Sequence, residues 1–417
     1  MTATGATPAY ETNRQVRVLA VLQSVLNLQP HVAIWVVYLT EFREISLAQV
    51  GIMEGAFWLV TLSFEIPSGA FADRFGRRIG FIAGVGVEGA GVLIFALADN
   101  FPLLMLSYAL WASGIAFRSG NDGAFLYDAL AAEGRTGEYA DRYGAIQALM
   151  RFATSGGAIA GGVIAGVANL QVAAFSGFLV YLLAIPALFA MREPPRVSSS
   201  GVHSYLGTLG GAWTLLRRRP ALRYVILFEV ALMMAMPIQF LLFQPFLREH
   251  DIPLLLVGAL IVPIELSAAA GSLLSGRASR AIGIPALGLV ALGATIGGLL
   301  LLAALDHLVL LLAFALPQIA RGVFAPAVSA YINQRATSDV RATVLSVGPF
   351  GHSLIFALVA PLAGVAGDAS LRLAFAITAA LILAAGGAFL TLWWRADRVP
   401  PPPGAAAEGT PTIAEAR

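Results

Sequence analysis

Residues Gly69 to Arg78 read GAFADRFGRR. An apolar run precedes them at Val50–Gly69 and another follows at Ile79–Ala98. Each run has the roughly 20 apolar residues that a bilayer crossing needs. A charged loop this short, between two membrane-length segments, has to lie at a membrane surface. One acid (Asp73), three arginines (Arg74, Arg77, Arg78) and two glycines (Gly69, Gly76) meet where two helices end.

Composition extends that reading to the whole chain. Of 417 residues, 58% are hydrophobic and 12% charged, about half the charged share of a soluble protein. Mean hydropathy is +0.79. Apolar runs between charged or turn-rich breaks predict twelve spans, near 16–40, 47–70, 79–98, 102–129, 142–168, 172–191, 221–247, 254–277, 284–305, 308–333, 342–366 and 371–395. They are numbered spans 1 to 12 below. Cysteine is absent, which excludes disulfides, thiol catalysis and cysteine metal sites. All basic residues are arginine, and the net charge of +2 does not describe a nucleic-acid-binding surface. The polar start Met1–Asn13 and the long first run are unlike a cleavable signal peptide.

The charged loop resembles the signature loop of the major facilitator superfamily, G-x-x-x-D-R-x-G-R-R between the second and third helices, and fills every fixed position. The competing reading is an ordinary loop obeying the positive-inside rule. The resemblance implies an all-α integral membrane protein, with twelve transmembrane helices in two pseudo-symmetric six-helix bundles. The expected organisation is a tail at 1–13, an N-terminal bundle at 14–191, a linker at 192–220, a C-terminal bundle at 221–395 and a disordered tail at 396–417. Within the linker, Tyr205–Leu216 is a candidate amphipathic surface helix.

Arginine placement predicts orientation. With the N-terminus inside, Arg43, Arg248 and Arg372 fall outside, Arg118, Arg151 and Arg321 fall within spans, and all the others fall on the cytoplasmic side. Both termini are therefore expected in the cytoplasm, in a bacterial inner membrane. A weak internal repeat supports a duplicated fold. Ser275–Gly283 occupies the place of the signature loop in the second half, with Ser279 where Asp73 would stand, and AGVA recurs at Ala165–Ala168 and Ala363–Ala366.

The resemblance implies a gate at the signature loop. Gly69 permits close helix approach. Asp73 is expected to accept from the N–H groups that open span 11, at Ser338–Arg341. Arg77 is expected to pair with Asp128 at the end of span 4; the competing reading is that Asp128 ends its helix at the headgroups.

Ionisable residues inside spans are costly and so face the protein interior or water. Glu54, Glu229, Glu265, Arg321, Arg118, Asp122, His31 and His352 are the candidates for proton coupling or substrate binding. Glu265 and Arg321 are a candidate switchable pair; Arg118 and Asp122 are spaced i, i+4. Glu88, in span 3, is a less attractive candidate, because the resemblance implies that third helices lie outside the central cavity; the competing reading is burial against span 2 or span 4. Either histidine is equally well read as structural. Helical periodicity puts Gln23, Asn27, His31 and Tyr38 on one side of span 1, Glu54, Trp58 and Glu65 on a face of span 2, and Glu229, Met233, Met236 and Phe240 on a face of span 7. The resemblance makes these cavity-lining faces, although helix packing explains the Met and Phe positions equally. Pro237 and Pro263 are expected to loosen spans 7 and 8.

Phe117–Asp128, FRSGNDGAFLYD, resembles the fourth-helix ending of a bacterial subgroup of facilitator-type efflux proteins. Ala153–Gly162, ATSGGAIAGG, resembles the antiporter motif G-x-x-x-G-P-x-x-G-G. Gly157, Gly161 and Gly162 match, while Ala153 and Ala158 replace a glycine and the proline. Small-residue helix packing explains the same glycines. The resemblance to drug/proton antiporter-like efflux members implies proton-coupled export of small amphiphilic or cationic compounds by a monomer in the lipid bilayer. The alternatives are a proton-coupled nutrient or sugar importer, and a lipid flippase or non-transporting membrane sensor. No phosphate-binding GxxxxGK[ST] motif, catalytic triad or metal-ligand spacing is present, so no enzyme activity, cofactor or metal is expected.

Overall fold

The computed structural model describes residues 11–195, 216–305, 307–335 and 338–398, without the side chains at 308, 338–346 and 349. The candidate helix at Tyr205–Leu216, apart from its last residue, and the tail beyond 398 lie outside these. Every regular element among the described residues is helical. The long helices are α1 (Thr12–Leu26), α2 (Leu47–Phe75), α3 (Arg77–Leu97), α4 (Phe101–Arg118), α5 (Asn121–Ala131), α6 (Tyr139–Val167), α7 (Leu170–Ala190), α8 (Pro220–Leu232), α9 (Ala235–Glu249), α10 (Leu254–Ile282), α11 (Ile284–Ala304), α12 (Ala315–Arg335), α13 (Ser338–Ala369) and α14 (Leu371–Asp397). Eleven segments among the described residues are long and apolar enough to cross a membrane. Counting the bent pair Thr12–Ala33 and Trp35–Phe42 as one span gives twelve.

Local chemistry explains the helix limits. Ser46 and Gln49 form a reciprocal capping box at the start of α2. Asn100 and Asn169 cap α4 and α7 by accepting from Leu103 and Val172. Gly76 separates α2 from α3 at φ 107°, a conformation that suits glycine alone. The second half repeats this arrangement: α10 has 29 residues and α11 has 21, as α2 and α3 do, with Gly283 at φ 78° between them. The weak repeat in the sequence is thus a strong repeat in backbone geometry.

Spans 1, 4 and 7 are broken. Pro30 has no N–H to donate and ends regular helix in span 1; a 3-10 turn (Pro30–Ala33) and a π turn (Tyr38–Phe42) follow, with a 48° bend. Non-helical backbone at membrane depth must be satisfied by protein. Gln244 of α9 does this, accepting from Val36 and Val37 N–H and donating to the Val32 carbonyl. Span 4 breaks at Ser119–Gly120, with Gly120 at φ 72°. Span 7 breaks at Met233–Met234, just before Pro237.

The chain forms two compact units. One contains residues 1–200, 241–263 and 360–368; the other contains 201–240, 264–359 and 369–417. The stretches 241–263 and 360–368 are the ends of spans 7, 8 and 11 farthest from the signature loop. They join the first unit through glycines. A Cβ on Gly258 would meet the Ala158 carbonyl, one on Gly51 the Ala360 carbonyl, and one on Gly364 the Leu47 carbonyl. Gly166 and Gly364, which hold the same place in the two AGVA repeats, pack on the starts of α10 and α2 respectively. Polar contacts tie the same region. Asp368 accepts from Leu47 N–H at 2.7 Å and Ala48 N–H at 3.0 Å, and Arg248 pairs with Glu41 at 2.7 Å.

In the second unit, Phe228, Phe324 and Trp393 form the core, with ring centroids 5.2 to 6.1 Å apart. Gly288 lies against Phe228 and Trp393. Trp393 Nε1 donates to the Tyr331 hydroxyl, which donates to Asp397.

Candidate functional site

At the signature loop, α3 begins immediately after Gly76, which has no side chain to cap it. Its free N–H groups need an outside acceptor. Glu193, just past α7, supplies one: Oε1 accepts from Arg77 N–H at 2.7 Å and Oε2 from Arg78 N–H at 2.8 Å. The charge also complements the positive end of the helix dipole. Sequence reasoning passed over Glu193. The available signal was an acid just beyond span 6 together with a helix start lacking its own cap. Arg77 pairs with Asp73 at 3.0 Å and with Asp128 at 3.5 Å. Asn121 donates to the Arg77 carbonyl, fastening α5 beneath the same turn. A Cβ on Gly69 would meet nothing within 4 Å among the described residues. The side chains of Ser338, Asp339 and Arg341, the expected partners of Asp73, lie outside the described set.

Deeper in the first unit, Arg118 and Asp122 face different neighbours, because the helix breaks between them. Arg118 forms a two-pronged pair with Glu88 of α3, at 2.6 and 3.1 Å. Glu88 is fully buried, and the Arg118 side chain is 11% exposed. Tyr181 donates to Glu88, and the Gln23 side-chain oxygen accepts from Arg118. Asp122 accepts from Gly123 N–H and from the Tyr143 hydroxyl of α6. Gln23 is therefore a buried partner of an arginine. Asn27 donates to the Gln23 backbone carbonyl.

His31 is fully buried, with its ring centroid 4.9 Å from Trp111 and against Gly177. Glu54 is buried and interacts with Trp58 one turn on. Phe57, Tyr108 and Trp111 stand edge to face with one another beside it; the sequence singled out none of these three. Tyr38 corrects its expected place in a cavity wall. It is fully buried, donates to the Ala96 carbonyl at 2.9 Å and accepts from Arg43, because the π turn rotates it towards the end of α3. Gly157 and Gly161 of α6 face the Leu28 and Pro30 carbonyls of the broken span, and Gly162 faces Leu254 and Gly258 of α10.

The second unit holds an open cavity of about 360 Å³. Glu229, Arg321 and His352 line it with Met233, Met236, Ser329 and aliphatic side chains. A narrower extension continues past Thr295 and Phe324. The break in span 7, one turn after Glu229, puts both methionines at the mouth of this extension. Arg321 is steadied by donating to Gln318. His352 lies edge-on to Phe356, as does Phe240. Glu265 is exposed on α10 and is not in the lining of the cavity. The cavity thus combines one carboxyl, one guanidinium and one imidazole with soft apolar walls.

A family model described as the Major Facilitator Superfamily matches residues 19–316. The chain belongs to the major facilitator superfamily. Members of this family are membrane transporters, not enzymes. Two curated relatives match over short stretches. An uncharacterised MFS-type transporter, YxaM of Bacillus subtilis (strain 168), is 30% identical over 88 residues, 21% of this chain and 22% of the relative. The inner membrane transport protein YajR of Escherichia coli (strain K12) is 39% identical over 69 residues, 16% of this chain and 15% of the relative. The matches span about a fifth of those relatives' length or less. Among solved structures, a point mutant of the nucleoside transporter NupG superposes with TM-score 0.79 at 13% identity, over 92% of this chain and all of that one. A bacterial homolog of the human lysosomal transporter Spinster gives TM-score 0.73 at 16% identity, over 95% of this chain and all of that one. At these identities the likeness is one of fold: the major facilitator fold.

Proposed function

We propose that this chain is a secondary active transporter of the cytoplasmic membrane that exports small amphiphilic or cationic compounds in exchange for protons. In this reading the halves 14–191 and 221–395 rock in alternating access, with both termini in the cytoplasm. The observation that carries it is the cavity of the second unit, where Glu229 stands among Met233, Met236 and apolar walls beside Arg321 and His352. Methionine adapts to varied apolar shapes, and a carboxyl attracts a cation or takes a proton. Its proton affinity changes as the surroundings alternate between wet and closed. The helix break beside Glu229 supplies the hinge that such alternation uses. The glycines 157, 161 and 162, where the chain resembles antiporters, support export over import.

The test is transport in proteoliposomes under an imposed pH gradient, over a panel of lipophilic cations, drugs, sugars and nucleosides. Proton-driven movement of the cations is the expected result. Glu229→Gln should abolish gradient-driven accumulation and leave substrate binding measurable. Symport of a sugar or nucleoside would replace this reading with import. No flux for any compound, with ligand-dependent partner binding, would replace it with a sensor.

A further inference from the structure

An apolar groove of about 480 Å³ runs between α3 and α7 on the first unit. Its walls include Ile82, Gly86, Leu93, Leu182, Ile185 and Phe189. No titratable group of the proposed transport site lines it. From Ile82 to Leu93 the helix rises roughly 16 Å, about half of the ~30 Å hydrocarbon core. The groove is therefore one leaflet deep.

Its charged end is equally specific. Ile82, Gly86, Ala90 and Leu93 share one face of α3, and Arg78 lies one turn before Ile82 on that face. Arg192 follows the last turn of α7, four residues after Leu188. The two helices run antiparallel, and the Glu193 contacts with Arg77 and Arg78 N–H hold both arginines at the signature-loop end. Among the described residues, neither guanidinium is held by a nearby acid. Asp73 and Asp128 are engaged by Arg77, and Glu193 by backbone N–H groups. Arg78 Nε is buried without a hydrogen-bond partner among the described residues.

We infer that this groove is a binding site for an anionic glycerophospholipid of the leaflet at the signature loop. One acyl chain fills the groove, and the phosphate is held by Arg78 and Arg192. Guanidinium and phosphate match in charge and in forked geometry. Tyr181 is the one hydroxyl-bearing residue in the lining, and its hydroxyl donates to the buried Glu88, so the groove presents an otherwise apolar wall that suits an acyl chain. Such a lipid would bear on the gate directly, because the N–H of Arg78 is part of the Glu193 cap.

The inference does not rest on the direction or substrate of transport, and its test needs neither. The delipidated full chain in detergent is titrated with phosphatidylglycerol or phosphatidylcholine and read by native mass spectrometry. The wild type should bind phosphatidylglycerol more tightly. The double substitution Arg78→Gln, Arg192→Gln should weaken phosphatidylglycerol by about 10- to 30-fold, at roughly a factor of five per basic residue, and leave phosphatidylcholine unchanged. Gly86→Phe should weaken both lipids. A Cβ at Gly86 would meet nothing within 4 Å among the described residues, so the phenyl group can be added on the groove side without a backbone clash, and this variant decides the matter if the double variant fails to purify. Wild-type lipid binding by Gly86→Phe, or a retained preference for phosphatidylglycerol in the arginine variant, overturns the inference.

Discussion

Replacing Arg118 by methionine tests whether the buried pair with Glu88 holds spans 3 and 4 together. The two contacts are 2.6 and 3.1 Å, and the carboxylate has no exposure to solvent. At about 4 Å and an effective dielectric of about 20, the attraction is about 4 kcal/mol. Removing one partner of such a pair typically costs about 3–5 kcal/mol, because the other charge stays buried and alone. Tyr181 still donates to Glu88 in the variant, which puts the expected loss near the lower bound, about 3 kcal/mol. Glu88→Met should cost a similar amount. The triple variant Glu88→Met, Arg118→Met, Tyr181→Phe removes both charges and the orphaned hydroxyl. It should be more stable than either single variant, since apolar packing replaces a buried pair at little cost. Denaturant-induced unfolding in micelles reads all three. The reasoning fails if Arg118→Met loses less than about 1 kcal/mol, or if the triple variant loses the sum of the singles.

At the signature loop, Asp128→Asn should slow transport several-fold yet change stability by less than about 1 kcal/mol, because a long 3.5 Å pair between partly exposed side chains contributes little to folding; transport at the wild-type rate would sink a gating role. At the opposite end, Asp368→Asn weakens the cap on Leu47 and Ala48. Spin labels introduced at positions 44 and 251, in a chain with no native cysteine, should report a broader distance distribution, and an unchanged narrow one would refute the tethering role of Asp368. Gly161→Ala would press a methyl onto the Pro30 carbonyl and should cost about 1–3 kcal/mol. Gly156→Ala, little more than a turn earlier and with open space, should be neutral or slightly stabilising, and equal thermal melts for the two variants would disprove the close-packing role.

The signature loop was legible because its pattern is local. Gly76 must take a positive φ, Arg77 lies four residues after Asp73, and membrane-length runs flank both. The expected Arg77–Asp128 contact also followed, since short loops limit which helix ends can meet. Glu193 and Asp368 were not legible. Each caps a helix more than a hundred residues away in sequence, and an isolated acid near a span end carries no mark of which helix start it faces. Arg118 illustrates the same limit. Spacing along a continuous helix suggests Asp122 as its partner, but the left-handed Gly120 breaks that helix, and Glu88 of α3 is the group within reach.

By itself, the sequence determined that this is a membrane protein of about twelve helices with a signature loop between the second and third. Those features depend on hydropathy, helical period and turn chemistry, all of which act over a few residues. Only the tertiary structure decided what the glycines at 157, 161, 258 and 364 do, namely admit a neighbouring carbonyl where a Cβ would collide. It alone decided which buried charges pair, and it alone gathered Glu229, Arg321 and His352 around one cavity. The reason is that electrostatic pairing and close packing are set by distance in space, which helix breaks and crossings redistribute. GAFADRFGRR thus pointed to the family from within a single short loop, while the acid that caps its helix came from the far end of another span.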